Sequence, residues 1–217
     1  MSRVKPEIQG LSFVLVGDFN PTIFHPLWFS GHDLIGEHES YAAKIEVVHS
    51  DICIFDLDWM RLQVTRDRFE LTTLQEPYFE VIRDLIIGTF QLLEHTPVKA
   101  LGINHQLHFK MKDVDEWHAL GHRLAPKDCW NKVLENTGMQ KVSIKGERPD
   151  GYKGNILVTV EPSSKLKYGS YFAINDHYEV DSTPGKTGIK DLVNIIKENF
   201  DHSTERSYKI SQTVLEG

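Results

Sequence analysis

Phe79, Ile82, Ile86, Phe90 and Leu93 recur every three or four residues, and from Leu101 the apolar positions switch to every second one. The first period predicts a helix whose buried stripe Tyr78, Leu85 and Thr89 widen; the second predicts a strand with one buried face. Pro77 suits the first helical turn, where its missing N–H has no partner to lose, and Pro97 stops the run after His95 and Thr96. In the strand, Leu101, Ile103, Leu107, Phe109 and Met111 alternate with Gly102, Asn104, Gln106, His108 and Lys110, so the helix has an adjacent sheet to cover.

The same grammar extends to both sides. Leu11 to Val16 reads as a mostly apolar, central strand that ends at Gly17-Asp-Phe-Asn-Pro21, with a short helix within Thr22 to Phe29 and a loop through Gly31, Gly36 and Glu37-His38-Glu39. Alternation at Lys44 to Val47, an apolar run from Ile52 to Leu57, and alternation again at Met60 to Val64 and Phe69 to Leu71 make a meander that the long helix closes. Beyond Met111, Asp113 with Glu116 predicts a capped helix whose stripe is Val114, Trp117, Leu120 and Leu124. Pro126 ends it, and a second short helix spans Asp128 to Asn136 and stops at Gly138. Strands follow at Val142 and Ile144, at Ile156 to Val160 and at Phe172 to Val180. A last helix carries Ile189, Leu192, Val193, Ile196 and Phe200, and a more polar helix or extension runs from Ser203 to Gly217.

Residues 1–97 and 98–217 thus repeat one order: strand, helix, strands, long helix. The predicted fold is α+β, two topologically similar halves that share one core, their strands joined in an antiparallel sheet packed by long helices, as an internal duplication would give.

Composition narrows the function classes. A chain of 217 residues, 40% apolar and 25% charged, is an ordinary globular sequence without disorder bias. It has no apolar run long enough to span a bilayer, and Met1 to Glu7 lacks the apolar centre of a signal peptide, so a soluble cytoplasmic protein without membrane contact is expected. Cys53 lies in an apolar run far from Cys129, which predicts reduced thiols. Lys and Arg total 24 against 31 Asp and Glu, a net charge of −7 that disfavours tracking a phosphate backbone and leaves protein partners or small ligands ahead.

Candidate chemistry is sparse. Val180 to Thr187 sits between a strand and a helix like a phosphate loop, yet Val180 replaces the first glycine and Pro184 removes a cradling N–H, so a solvated connection with Thr187 as a cap is the better reading. Gly17 to Pro21 followed by His25 is similar to the first loop of nucleotidylyltransferases but supplies one histidine where the phosphate clamp needs two. His118 and His122 share a helix face at metal-ligand spacing, and two ligands make no site; neither a metal nor a cofactor is expected. His105 replaces an apolar residue in the buried phase of its strand, where it is hydrogen-bonded or lines a cavity. The ligand-binding candidates are therefore Asn104, His105 and His108 with the Asp18 to His25 loop. A nucleic-acid surface would need Lys141, Lys145, Arg148, Lys153, Lys165 and Lys167 gathered by the second meander.

Arg66 to Thr73, the junction Val98-Lys-Ala-Leu-Gly-Ile-Asn-His105, the strand Tyr171 to Asp176 and the helix Asp191 to Phe200 together resemble a sporadically distributed family of uncharacterised prokaryotic proteins of similar length. The patchy occurrence of that family implies mobile or accessory roles, antiviral defence among them, and no activity. The expected role is accordingly a non-catalytic accessory protein that binds another protein or its own copy, through exposed sheet edges or the segment Ser203 to Gly217. The alternatives are an enzyme or small-ligand binder with a pocket near His105 and the Asp18 to His25 loop, and a nucleic-acid-binding accessory protein.

Overall fold

A computed structural model of the chain describes residues 4–180 and 187–217. One antiparallel sheet holds nine strands: β1 (Ile8–Gly17), β2 (Lys44–Val48), β3 (Ile52–Asp56), β4 (Arg61–Thr65), β5 (Arg68–Thr73), β6 (Val98–Lys110), β7 (Val142–Glu147), β8 (Gly154–Pro162) and β9 (Gly169–Glu179). Their order in space is β2-β3-β4-β5-β1-β6-β9-β8-β7. The first strand of each half therefore meets the other at the centre, Leu11 opposite His105 and Phe13 opposite Ile103, and each meander runs outward to one edge. The chain is α+β with one antiparallel sheet, as the hydrophobic pattern predicts.

Helices cover one face. α1 (Pro26–Gly31) and α2 (Glu37–Ala42) follow β1, α3 (Phe79–Leu92) closes the first half, α4 (Val114–Leu124) follows β6, and α5 (Ile189–Glu216) closes the second half. α3 buries Phe79, Ile82, Leu85, Ile86, Thr89 and Phe90, the stripe that its period foretells. Phe90 meets Phe19 and Phe69 edge-on, while Phe200 of α5 stacks on Phe13 of β1 at 6.1 Å. The larger core cluster runs through both halves, from Phe24 and Phe55 to Tyr178, Leu192 and Ile196. A smaller cluster of Leu107, Phe109, Leu120, Phe172 and Ile174 lies under α4 and the last turns of α5.

Five local expectations change. Glu37-His-Glu is helical, because Glu39 reaches back to accept from the Gly36 N–H at 2.7 Å. Pro77 belongs to a one-turn 3-10 segment ahead of α3, and between α4 and β7 only Trp130–Lys132 forms a 3-10 turn where a full short helix is predicted. Thr187 does not cap α5; its hydroxyl donates to the Glu94 carbonyl, and Gly188 stands at the N-cap with φ of 80°, its Cα so close to the Val98 carbonyl that a Cβ would fall 2.3 Å from that oxygen. The phosphate-loop comparison over Val180 to Thr187 falls mostly outside the described residues. Lastly, Ser203 to Glu216 continues α5 without a break. Ser203, Ser207 and Ser211 face the sheet fully buried, and Tyr208, Ile210, Val214 and Leu215 pack on the smaller cluster, so this stretch is a lid on the core rather than a free contact arm.

Candidate functional site

The sheet separates the residues nominated for a ligand pocket. β6 turns His105 towards the helices and Asn104 and His108 towards the open face, as period 2 requires. His105 is 2% exposed, and its Nε2 lies 3.0 Å from the Ser203 hydroxyl. His108 is also buried, paired through Nδ1 with the Ser163 hydroxyl at 2.8 Å and resting against the Tyr171 ring. Asp18 follows β1, whose Gly17 aligns with Val98, while Ile8 aligns with His108. Asp18 and His108 are thus about 33 Å apart at ten residues of strand rise. His25 caps α1, its Nδ1 accepting from the Leu27 N–H at 3.2 Å. These five residues do not converge, so the pocket expected around them is not formed.

The remaining nominations also part. His118 and His122 are exposed on α4 with ring centroids 6.4 Å apart, and among the described residues no group of three or more His, Cys, Asp or Glu gathers to hold a metal ion. Lys165 and Lys167 lie in the β8–β9 turn and Lys153 at the opposite end of β8, with Lys145 on the outer strand and Lys141 just before it. Arg148 leaves that set altogether, since its side chain is wholly buried. With Arg148 buried and Lys153 at the far end of β8, the six do not gather as one set.

What Arg148 does instead is the most concentrated polar chemistry in the described chain, and the sequence reading misses it. Asp176 points from β9 towards α5, and the residues after β7 bring in Arg148 and Asp150. Asp150 accepts from Arg148 Nε and Nη2 at 3.1 and 2.5 Å and from Arg206 Nη2 at 2.7 Å. Asp176 accepts from Arg148 Nη1 and from Arg206 Nη1, the latter at 2.6 Å. Two guanidiniums and two carboxylates close a ring that neutralises itself, which is the condition for holding charge away from water. Arg148 also lies flat over the Tyr178 ring, 3.5 Å from its centroid. Burial opposes ionisation of Asp150, yet Arg148 and Arg206 hold its carboxyl below the usual range, and burial beside Asp176 pushes the Tyr178 phenol up to about 12. Every member is engaged, and the ring ties the β7–β8 connection and α5 to the middle of β9. The signal available in the sequence is the Arg-x-Asp of 148–150 beside a lone Asp176 in an otherwise apolar strand phase.

His105, next to this ring, has its pKa lowered to about 4, first by burial and then by Arg206, against the pull of Asp176. Because the folded value lies below the ordinary imidazole value of 6.5, the unfolded chain binds the extra proton. The contribution of a neutral His105 is complete above pH 6.5 and is lost as pH falls towards 4, about 3 kcal/mol in all. Urea midpoints measured across that window should fall for the wild type and fall less for His105→Asn, which cannot titrate.

On the helix-free side of the sheet, a buried Ser12 and the half-buried Asn104 and Asn175 form a row across β1, β6 and β9, with the Asn104 amide donating to Ser12 at 3.4 Å and the Oδ1 atoms of both asparagines buried. A depression of about 650 Å³ between α1, α2 and the start of α3 is lined by Leu27, Glu37, Tyr41 and a stacked Trp59–Tyr78 pair, and contains none of the nominated residues. The two sheet edges are unlike. β2 carries a register shift between Ile45 and Val47, whereas β7 pairs with β8 through six consecutive residues without a shift. Along β7 all residues but Val142 are exposed, and Ile144 is 64% exposed. A regular, uncovered edge with an apolar side chain at its middle is ready to pair with another strand.

Among the described residues no helix is long and apolar enough to cross a membrane. No family model matches the chain, and no curated protein matches it, so the resemblance drawn from the junction and the C-terminal helix assigns it to no family.

Proposed function

We propose that this chain is a non-catalytic, accessory protein-interaction subunit that accepts a partner's strand along the free edge of β7. The single observation that supports this reading is the combination of unbroken β7–β8 pairing with an uncovered outer edge on which Ile144 stands largely in water. Strand addition supplies main-chain hydrogen bonds for affinity and reads alternate side chains for specificity, so it needs no pocket. Three of the side chains considered for chemistry are engaged in the fold: His105 with Ser203, His108 with Ser163, and Arg148 with both aspartates. A defence-type multi-protein setting is part of this proposal on the resemblance to patchily distributed prokaryotic proteins alone.

The test is recovery of bound proteins from the native host, with the wild type and Ile144→Asp compared by quantitative mass spectrometry. A charge at the centre of the edge should cut recovery of a stoichiometric partner about tenfold, including a differently tagged copy of the chain itself, while leaving the melting temperature unchanged. Equal recovery with both proteins overturns the proposal.

A further inference from the structure

We infer that the strand received by β7 is β7 of a second copy, paired antiparallel about a two-fold axis at Ile144. The inference rests on the interaction reading above and deepens it by naming the partner.

A two-fold axis normal to the sheet keeps the helices of both copies on one side and sets one residue opposite its own counterpart. Val142, Ile144 and Gly146 occupy the helix-side phase, opposite Val160, Val158 and Ile156 of β8, and Ser143, Lys145 and Glu147 occupy the open-face phase. Centring the axis on Ile144 places Lys141 of each copy opposite Glu147 of the other, Ser143 opposite Lys145, Val142 opposite Gly146, and the two Ile144 side chains against each other. Both charges are exposed and make no ion pair within their own chain among the described residues. Every opposed pair in this register is attractive or neutral.

Neighbouring registers fail on the same residues. An axis at Ser143 sets Lys141 against Lys145, and an axis at Lys145 sets that lysine against itself, which like charges directly across strands oppose. An axis at Gly146 brings Lys145 to Glu147 but faces Ser143 with Pro149, which has no N–H to give. The opposite edge is blunted: β2 is bulged at Ile45/Val47, and its Glu46 is already taken by Arg61 at 2.6 Å. Self-pairing at β7 thus closes into a dimer, with one continuous sheet through both copies, and leaves no second regular edge to propagate a filament. Trp130, Val133 and Leu134, all largely exposed, stand on the connection that leads into this strand and add apolar surface at the same end of the chain.

Light scattering on the purified full chain at about 1–100 µM, the range in which a modest edge contact is populated, tests the inference. The wild type should be a dimer, Lys141→Glu and Glu147→Lys should each weaken association about tenfold, and the double charge swap should restore it. A second measurement fixes the register: in a Cys129→Ser background, oxidised glutathione should cross-link Ile144→Cys to itself. Ser143→Cys should cross-link to Lys145→Cys in a mixture but not to itself. A dimer indifferent to the charge variants and without these cross-links overturns the register. A monomeric wild type overturns self-pairing; if Ile144→Asp still abolishes recovery of a different protein from the host, the interaction reading stands, and if it does not, both fall.

Discussion

Replacing Asp176 with alanine is expected to lower the free energy of unfolding by about 3–5 kcal/mol, a large part of the stability of a domain this size. The cost comes from what stays behind. Arg148, with no solvent exposure of its side chain, and Arg206 would share the single carboxylate of Asp150, leaving one positive charge buried without a counterion. By contrast, Arg61 with Glu46 and Asp56 forms a smaller cluster in water, and removing Glu46 should cost no more than about 1 kcal/mol. Urea unfolding of Asp176→Ala, Arg206→Met and the double variant separates the two explanations for a loss at this site. If unpaired charge is the cause, the double variant should recover about 1–3 kcal/mol relative to the sum of the single changes. If lost packing is the cause, the single effects should add.

The contrast between this ring and the rest of the molecule marks how far the sequence is legible. Periodicity reports burial of apolar residues, so α3, β6 and the strand meanders can be read from Ile82, Phe90, Leu101 or Val64 without any knowledge of what they touch. The pattern places the strands only along the chain; that β1 and β6 meet at the centre with the meanders running outward is known from the fold. Charged residues carry no such period. Arg148 reads as one more basic residue beside Lys145 and Lys153, and only the fold brings it within reach of Asp176, twenty-eight residues on, and of Arg206 in α5. His105 is the intermediate case: its place in an apolar phase predicts burial with a hydrogen-bond partner, while the identity of that partner, Ser203, depends on how α5 crosses the sheet. The edge is legible in part, since the sequence shows Ile144 in a short run with Lys141, Lys145 and Glu147, but the outward side of β7 is known only once β8 is known to lie on the other.

Deleting Ser203 to Gly217 is expected to remove cooperative unfolding of the second half, which makes the segment an integral part of the fold. Its composition invites the opposite view, because serines, Lys209 and Glu216 give it a polar look beside the stripe from Ile189 to Phe200. The serines recur every four residues, however, and Ser203, Ser207 and Ser211 are small enough to let the helix lie close on β6 and β9, their hydroxyls engaged by His105 and by helix carbonyls. Around them Tyr208, Ile210, Val214 and Leu215 cover Leu107, Phe109 and Phe172. Arg123 of α4 secures the end of the helix by donating to the carbonyls of Val214 and Leu215. Four partly buried apolar side chains at about 1 kcal/mol each, together with the loss of Arg206 from the charged ring, take away most of the usual margin of stability. The truncated chain should bind a hydrophobic dye, lose near-ultraviolet ellipticity and exchange the amides of β8 and β9 rapidly, while Ile82 and Phe90 keep the first half more protected. A truncated chain that retains a single sharp transition within a few degrees of the full-length protein would show that α5 ends its structural role at Phe200.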